Sequence, residues 1–275
     1  MLSLSKEQLQ ATLSDRSVGY LKDPSNTDGR FSRVAVRRQL DRLERTGVSV
    51  ASVAGATRMF GQLRADAEND LRNLADQYAV VHPTGFADIQ TEGLLHAPEE
   101  LKANLISALL TLIGGRNYGP RRLKLGRLMD RLNTGGDWTR TLAGCVISLR
   151  QGIVRIIREH KAANQVLPVT PGLAVWDNRF VLTVRSSIDD DLQIRALGEK
   201  GWQALQNWPR EMDEFGLIAN IPGPVRFSLP AIWRGQNIVE VPHFGLCDAQ
   251  LSENIVKSID LRCRAPLNAP PFWVA

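Results

Sequence analysis

The hydrophobic pattern changes period near Thr139, and that change limits the fold more than any other feature of the chain. Upstream, apolar residues recur at steps of three and four, the spacing of one face of an α-helix. Val53, Phe60, Leu63, Ala67, Leu71, Leu74 and Tyr78 form one such series. Their spacing predicts a long helix from about Ser49 with a single buried stripe. Its other face carries Arg64, Asp66, Glu68, Asp70 and Arg72, a solvated mixture of both signs. Leu101, Leu105, Leu109 and Leu112 form a second series, closed by Gly114-Gly115, where a residue without a side chain readily takes the conformation that ends a helix. Pro120 suits the first turn of the next helix, where the missing N–H costs nothing. Further upstream, Ser5-Lys6-Glu7-Gln8 reads as a capping box opening a helix to about Asp15. Phe31, Val34, Leu40 and Leu43 read as another helix, closing at Gly47. Residues 20–29 between these two carry dense turn chemistry and read as a loop.

Downstream, β-branched residues take over. Thr141-Leu142, Cys145-Val146-Ile147 and residues 153–157 surround Gln151-Gly152, a hairpin signature. Residues 85–95 read as a strand pair or extended segment, residues 176–184 as a strand with Asp177-Asn178 as its turn, and residues 229–241 as paired strands around Gly235-Gln236. Residues 192–208 are mixed, and the tail from 266 to 275 has no periodicity. The expected fold class is α+β, a helical first half followed by a β-rich C-terminal region.

Composition narrows the function. An apolar content of 43% with 23% charged residues excludes a disordered chain. No run approaches the roughly 18 uncharged apolar residues that span a bilayer, and the N-terminal residues do not read as a secretory signal. The net charge of +5 favours a polyanionic partner. Cys145, Cys247 and Cys263 have no C-x-x-C spacing, which predicts mostly buried free thiols in a reducing cytoplasm. The histidines His82, His96, His160 and His243 are scattered, so no protein-built metal site is expected.

Two arginine clusters are candidate binding sites. In the first, Arg33 and Arg37 stand four apart and project from one helical face. They make either a fork for phosphate or ion pairs with Asp23, Asp28 or Asp41. Asn26 and Asp28 are able to cap that helix, and Asp23 to fix the turn. The second cluster runs through Arg116, Arg121, Arg122 and Lys124. Lys124, Arg127 and Arg131 form a stripe beside the apolar Leu125, Leu128, Met129 and Leu132. This local density of positive charge favours nucleic-acid backbone contact over solvated side chains. Gly135-Gly136-Asp137 reads as a turn, and Asp189-Asp190-Asp191 as a solvated loop. Arg158-Glu159-His160 reads as a surface salt bridge at the hairpin's end rather than a general-base pair, and Trp176, Trp202, Trp208 and Trp233 as core anchors.

Asp23-Pro24-Ser25-Asn26-x-Asp28-x-Arg30-Phe31-x-Arg33-Val34-x-Val36-Arg37 resembles the segment that ends the catalytic domain of bacterial tRNA(Ile)-lysidine synthetase, a pyrophosphate-loop ATPase. Gly114-Gly115 with Gly119-Pro120-Arg121, Thr141-Leu142-Ala143-Gly144-Cys145 and Ile157-Arg158-Glu159 resemble later landmarks of that family, in the same order. The resemblance covers roughly residues 1–185. It implies ATP- and magnesium-dependent ligation of lysine to the wobble cytidine of an isoleucine tRNA. It also implies that residues 1–46 end a nucleotide-binding catalytic domain, that 47–135 form a helical tRNA-contacting domain, and that 136–275 form a β-rich C-terminal domain. Arg33, Arg37, Asp23 and Asn26 would then rim the nucleotide pocket, and Arg116, Arg121, Arg122, Lys124, Arg127 and Arg131 would hold tRNA. The family's Ser-Gly-Gly-x-Asp-Ser loop does not occur in these residues. No catalytic residue is therefore assigned here, and neither ATP nor magnesium is expected to bind this chain alone. The resemblance therefore implies a homologue of that enzyme that is incomplete as given; the alternatives are a non-catalytic tRNA-binding module and an inactive remnant.

Overall fold

The computed structural model describes residues 6–19, 21, 32–185, 191–206, 221–248, 253–262 and 267. The chain divides into two compact units, residues 1–68 with 271–275, and residues 69–270. The first unit contains α1 (Lys6–Asp15), α2 (Ser32–Arg45) and the start of α3 (Val50–Tyr78). The α2 helix ends as the sequence predicts. Gly47 takes a φ of +90°, and the N–H groups of Thr46, Gly47 and Val48 fold back onto the carbonyls of Leu43 and Glu44. Ser5, Phe31, the side chains of Val34 and Leu40, and nearly all of the loop expected over residues 20–29 lie outside the described residues.

The single buried stripe expected along α3 is corrected by the structure. Leu71 and Leu74 are buried, but Phe60 and Leu63 are 70% and 51% exposed. The buried part is the part that packs on the first core of the second unit, where Ala75 and Tyr78 join it. Period shows which residues share a face; only a neighbouring element decides whether that face is buried.

The second unit holds two cores. The first is an antiparallel sheet in the order β1-β2-β5-β4-β3, made of β1 (Ala79–His82), β2 (Phe86–Gln90), β3 (Trp138–Leu142), β4 (Cys145–Arg150) and β5 (Ile153–Arg158). Packed with it are α4 (Thr91–Leu94), α5 (Glu99–Ile113) and α6 (Arg122–Asn133). The hairpin turn at Gln151-Gly152 has φ of 48° and 76°, the two positive values that a tight two-residue hairpin demands. Ala143-Gly144 repeats this geometry at 55° and 77° and adds β3, so the one hairpin expected is part of a larger meander. The strand pair expected over residues 85–95 is shifted. Its first strand is β1, and residues 91–94 are helical. The expected amphipathic helix over Leu101 to Leu112 is α5, yet Leu105, Ile106, Leu109, Leu110, Leu112 and Ile113 are all buried, so apolar packing covers most of its circumference. Helix α6 starts two residues after Pro120, with Arg121 as its N-cap.

The second core joins the sheet β12-β11-β10-β9-β6 to the sheet β13-β8-β7. The strands are β6 (Leu167–Pro168), β7 (Gly172–Trp176), β8 (Phe180–Val184), β9 (Leu192–Ala196), β10 (Pro230–Arg234), β11 (Asn237–Val241), β12 (Leu246–Cys247) and β13 (Val256–Leu261). Both expected turns join pairs, Asp177-Asn178 between β7 and β8 and Gly235-Gln236 between β10 and β11. The mixed segment is β9 followed by α7 (Gly198–Gln206). Helix α8 (Gly223–Phe227) carries Val225 onto Phe86 and Ile157 of the first sheet. Trp176 and Trp233 are buried in this core and Trp202 packs against it, while Trp208 lies outside the described residues. Cys145 is buried and Cys247 half-buried; Cys263 is outside the described residues. The molecule is α+β, with helices concentrated in the first half.

Candidate nucleic-acid interface

The loop between α5 and α6 lies directly on its neighbours because three glycines let it. A Cβ on Gly114 would stand 2.5 Å from the Ala143 carbonyl oxygen, one on Gly115 2.2 Å from that of Asp177, and one on Gly119 2.5 Å from Ser107 Oγ. Gly115 also needs its φ of +61°. Side chains complete the anchoring. Arg116 Nε donates to the Ala143 carbonyl at 2.9 Å. Asn178 Nδ2 donates to the Gly115 carbonyl at 2.8 Å and to Asn117 Oδ1 at 3.0 Å.

This loop, α6 and the β3–β4 turn enclose two adjoining clefts. One, of about 440 Å³, is lined by Lys124, Arg127, Arg131 and Arg140 with the turn residues Leu142, Ala143 and Gly144. The other, of about 720 Å³, is lined by Arg116, Tyr118, Arg121 and Lys124. Lys124, Leu142 and Ala143 line both. Helix α6 explains the stripe. Leu125, Leu128, Met129 and Leu132 are buried, which turns the residues at the intervening three- and four-residue steps outward. Glu159 is the only acid lining either cleft. Among the described residues no ion pair neutralises Arg121, Lys124, Arg127 or Arg140. Arg131 is half-buried and donates to Thr134 Oγ1 at 2.9 Å.

The structure thus gathers Arg116, Arg121, Lys124, Arg127 and Arg131 into one groove. Arg122 departs from it and lines a separate cleft between α5 and α6, beside Glu99, Glu100 and Asp130. Arg140, exposed in the middle of β3, is the cation that spacing missed. Only the fold of the sheet brings it beside α6. Arg33 and Arg37 stand four residues apart in α2. Their side chains, with Asp23 and Asn26, lie outside the described residues, as do Asp189 and Asp190.

Under the groove sits a buried charge cluster that corrects the reading of Arg158 as a surface salt bridge. Arg158 Nε and Nη2 donate to the Asp177 carboxylate at 2.9 and 2.6 Å. Nη1 donates to the carbonyls of Gly114 and Gly144 at 2.9 and 3.2 Å, and Nη2 to that of Ala162 at 2.8 Å. Asp177 also accepts from Arg179 Nε at 2.6 Å. The fully buried Arg179 passes a further hydrogen bond to the Ser228 carbonyl at 2.5 Å. Burial pulls the Arg179 guanidinium down to about 10 against the pull of Asp177, so it stays charged at neutral pH. One carboxylate between two guanidiniums therefore ties both cores together and fixes the end of α5 and the β3–β4 turn, the two walls of the groove. Burial raises the neighbouring Cys145 thiol to about 12, which makes it an inert packing residue.

Among the described residues no group of three His, Cys, Asp or Glu side chains is placed to hold a metal ion. No helix among them is long and apolar enough to cross a membrane.

No family model matches the chain. It is 26% identical over 260 residues to the tRNA(Ile)-lysidine synthase of Ruegeria pomeroyi, a match covering 92% of this chain and 57% of that protein. It is 24% identical over 188 residues to the tRNA(Ile)-lysidine synthase of Anaplasma marginale, covering 67% of this chain and 40% of that protein. The same-named protein of Hyphomonas neptunium is 31% identical over 157 residues, covering 55% of this chain and 40% of its own length. The chain spans about half the length of the curated relatives it matches. It is a homologue of the tRNA(Ile)-lysidine synthases over part of their length, consistent with their C-terminal portion.

Proposed function

We propose that this chain is the tRNA-holding portion of an ATP-dependent ligase that joins lysine to the wobble cytidine of an isoleucine tRNA in the cytoplasm. The observation that carries the reading is the groove of basic side chains on fixed walls, in which Arg121, Lys124, Arg127 and Arg140 have no ion pair among the described residues. A line of guanidinium and ammonium groups displaces counterions condensed on a phosphate backbone, and that release supplies sequence-independent affinity. Arg116, Arg121, Lys124, Arg127 and Arg131 contact phosphates in this reading, with Arg140 as an added partner and Arg122 on the neighbouring cleft. Arg33 and Arg37, with Asp23 and Asn26, form the rim facing the nucleotide pocket.

The 275 residues contain no Ser-Gly-Gly-x-Asp-Ser loop, and among the described residues no metal-holding cluster exists. Adenylation is therefore assigned to no residue of this chain, whose own chemistry is to bind and orient RNA. Fluorescence anisotropy of a labelled isoleucine tRNA transcript titrated with the chain at low salt tests the reading. Saturable binding is expected, and failure to bind overturns it.

A further inference from the structure

We propose that Tyr118 is a stacking platform for an unpaired nucleotide, so that the RNA in this groove presents an unstacked base to the α5–α6 loop. The proposal rests on the reading of the groove as an RNA-binding surface and names what part of an RNA fits it. Tyr118 is 85% exposed, and it lines the cleft together with Arg116, Arg121 and Lys124. Among the described residues it makes no ring contact and no hydrogen bond, so both faces of its ring are open. A single exposed aromatic is ordinary on a protein surface. This one differs in the backbone that carries it. The flanking glycines, Gly115 and Gly119, are wedged against Asp177 and Ser107, and Asn178 holds Asn117 beside it. A ring on an immobilised backbone loses little further freedom when a base settles on it, which favours stacking over a tyrosine on a loose loop. The surrounding cations supply the backbone attraction that single-strand binders combine with aromatic stacking. Bases within a duplex are already stacked, so an open ring gains nothing from an uninterrupted RNA helix.

Two labelled RNAs test this, a blunt-ended two-strand duplex without a loop and the same duplex with a four-nucleotide single-stranded 3′ extension, each titrated by anisotropy. The unsubstituted chain is expected to bind the extended RNA more tightly. Tyr118→Ala should weaken the extended RNA by roughly fivefold to 150-fold, the range typical of one lost base stack, and leave the blunt one unchanged. Tyr118→Phe should retain the preference, since stacking does not need the hydroxyl. In Tyr118→Trp, indole fluorescence should be quenched by the extended RNA and not by the blunt one. Equal binding of both RNAs by the unsubstituted and alanine forms overturns the role of Tyr118 and leaves the groove reading standing. Failure of the unsubstituted chain to bind either RNA overturns both.

Discussion

Asp177 is the acid on which the buried charge cluster depends. It accepts from two arginines, one of them fully buried, and Arg158 in turn satisfies the carbonyls of Gly114, Gly144 and Ala162. Such a cluster contributes little net stability against an apolar replacement, but breaking it leaves uncompensated buried charge. Asp177→Asn is expected to lower unfolding free energy by about 3–5 kcal/mol, measured by urea denaturation at neutral pH; a loss within error would mean that water reaches the cluster. His243 gives a second prediction. Burial, and then the Arg179 guanidinium, push its imidazole down to about 4 against a smaller upward pull from the Pro83 backbone. The unfolded chain therefore binds a proton that the folded chain refuses between about pH 6.5 and pH 4. Stability from keeping His243 neutral is complete above that window and is lost as pH falls through it. Relative to His243→Leu, the unsubstituted chain should lose stability on acidification across this range; parallel pH profiles would contradict the assignment. Sequence reading placed Asp177 in a turn, correctly, and missed the cluster. Arg158 sits 19 residues from Asp177, and no local spacing reveals that a charged side chain points inward. Arg140 was missed for the same reason.

At the scale of elements, the sequence was most legible where a glycine or a repeated period does one local job. The turns at Gln151-Gly152 and Gly235-Gln236, the stop at Gly47 and the stop at Gly114-Gly115 are all where turn chemistry puts them. The basic stripe on α6 follows from the apolar face opposite it. Where two periods abut, boundaries slipped. Ala79 to His82 follow directly on a 29-residue helix, and β1 was hidden by the end of that helix. The α3 stripe illustrates the other limit, since its members share a face but not a fate. Leu74→Ala is expected to cost about 2–5 kcal/mol, because it opens a cavity beneath α3. Phe60→Ser and Leu63→Ser should each stay within about 0.5 kcal/mol, as surface substitutions do. Thermal and chemical denaturation of the three variants checks this. A large cost at Phe60 would show that this part of the face is covered in solution.

For the whole molecule, the proposal assigns RNA holding to the groove beside α6 and no step of the nucleotide chemistry to the described residues. The purified 275-residue chain, given tRNA, ATP, magnesium and radiolabelled lysine, should incorporate none. Phosphoryl and nucleotidyl transfer depend on a positioned phosphate cradle, and turnover would show that this chain builds one without the Ser-Gly-Gly-x-Asp-Ser loop. The net charge of +5 made a polyanionic partner a fair expectation, but charge alone does not separate diffuse attraction from a built site. The salt dependence of tRNA binding does. Replacing Arg121, Lys124 and Arg127 together by Gln removes three groove cations. Replacing Arg58, Arg64 and Arg72 by Gln removes as much charge from α3, where Arg64 already pairs with Glu68 and Arg72 donates to Asn69. With affinity measured by anisotropy at three salt concentrations, the groove variant should bind more weakly and lose about 0.7–0.9 from the slope of log affinity against log salt for each phosphate contact removed. The α3 variant should keep both the affinity and the slope of the unsubstituted chain. Equal losses in the two variants would contradict a built RNA-binding groove.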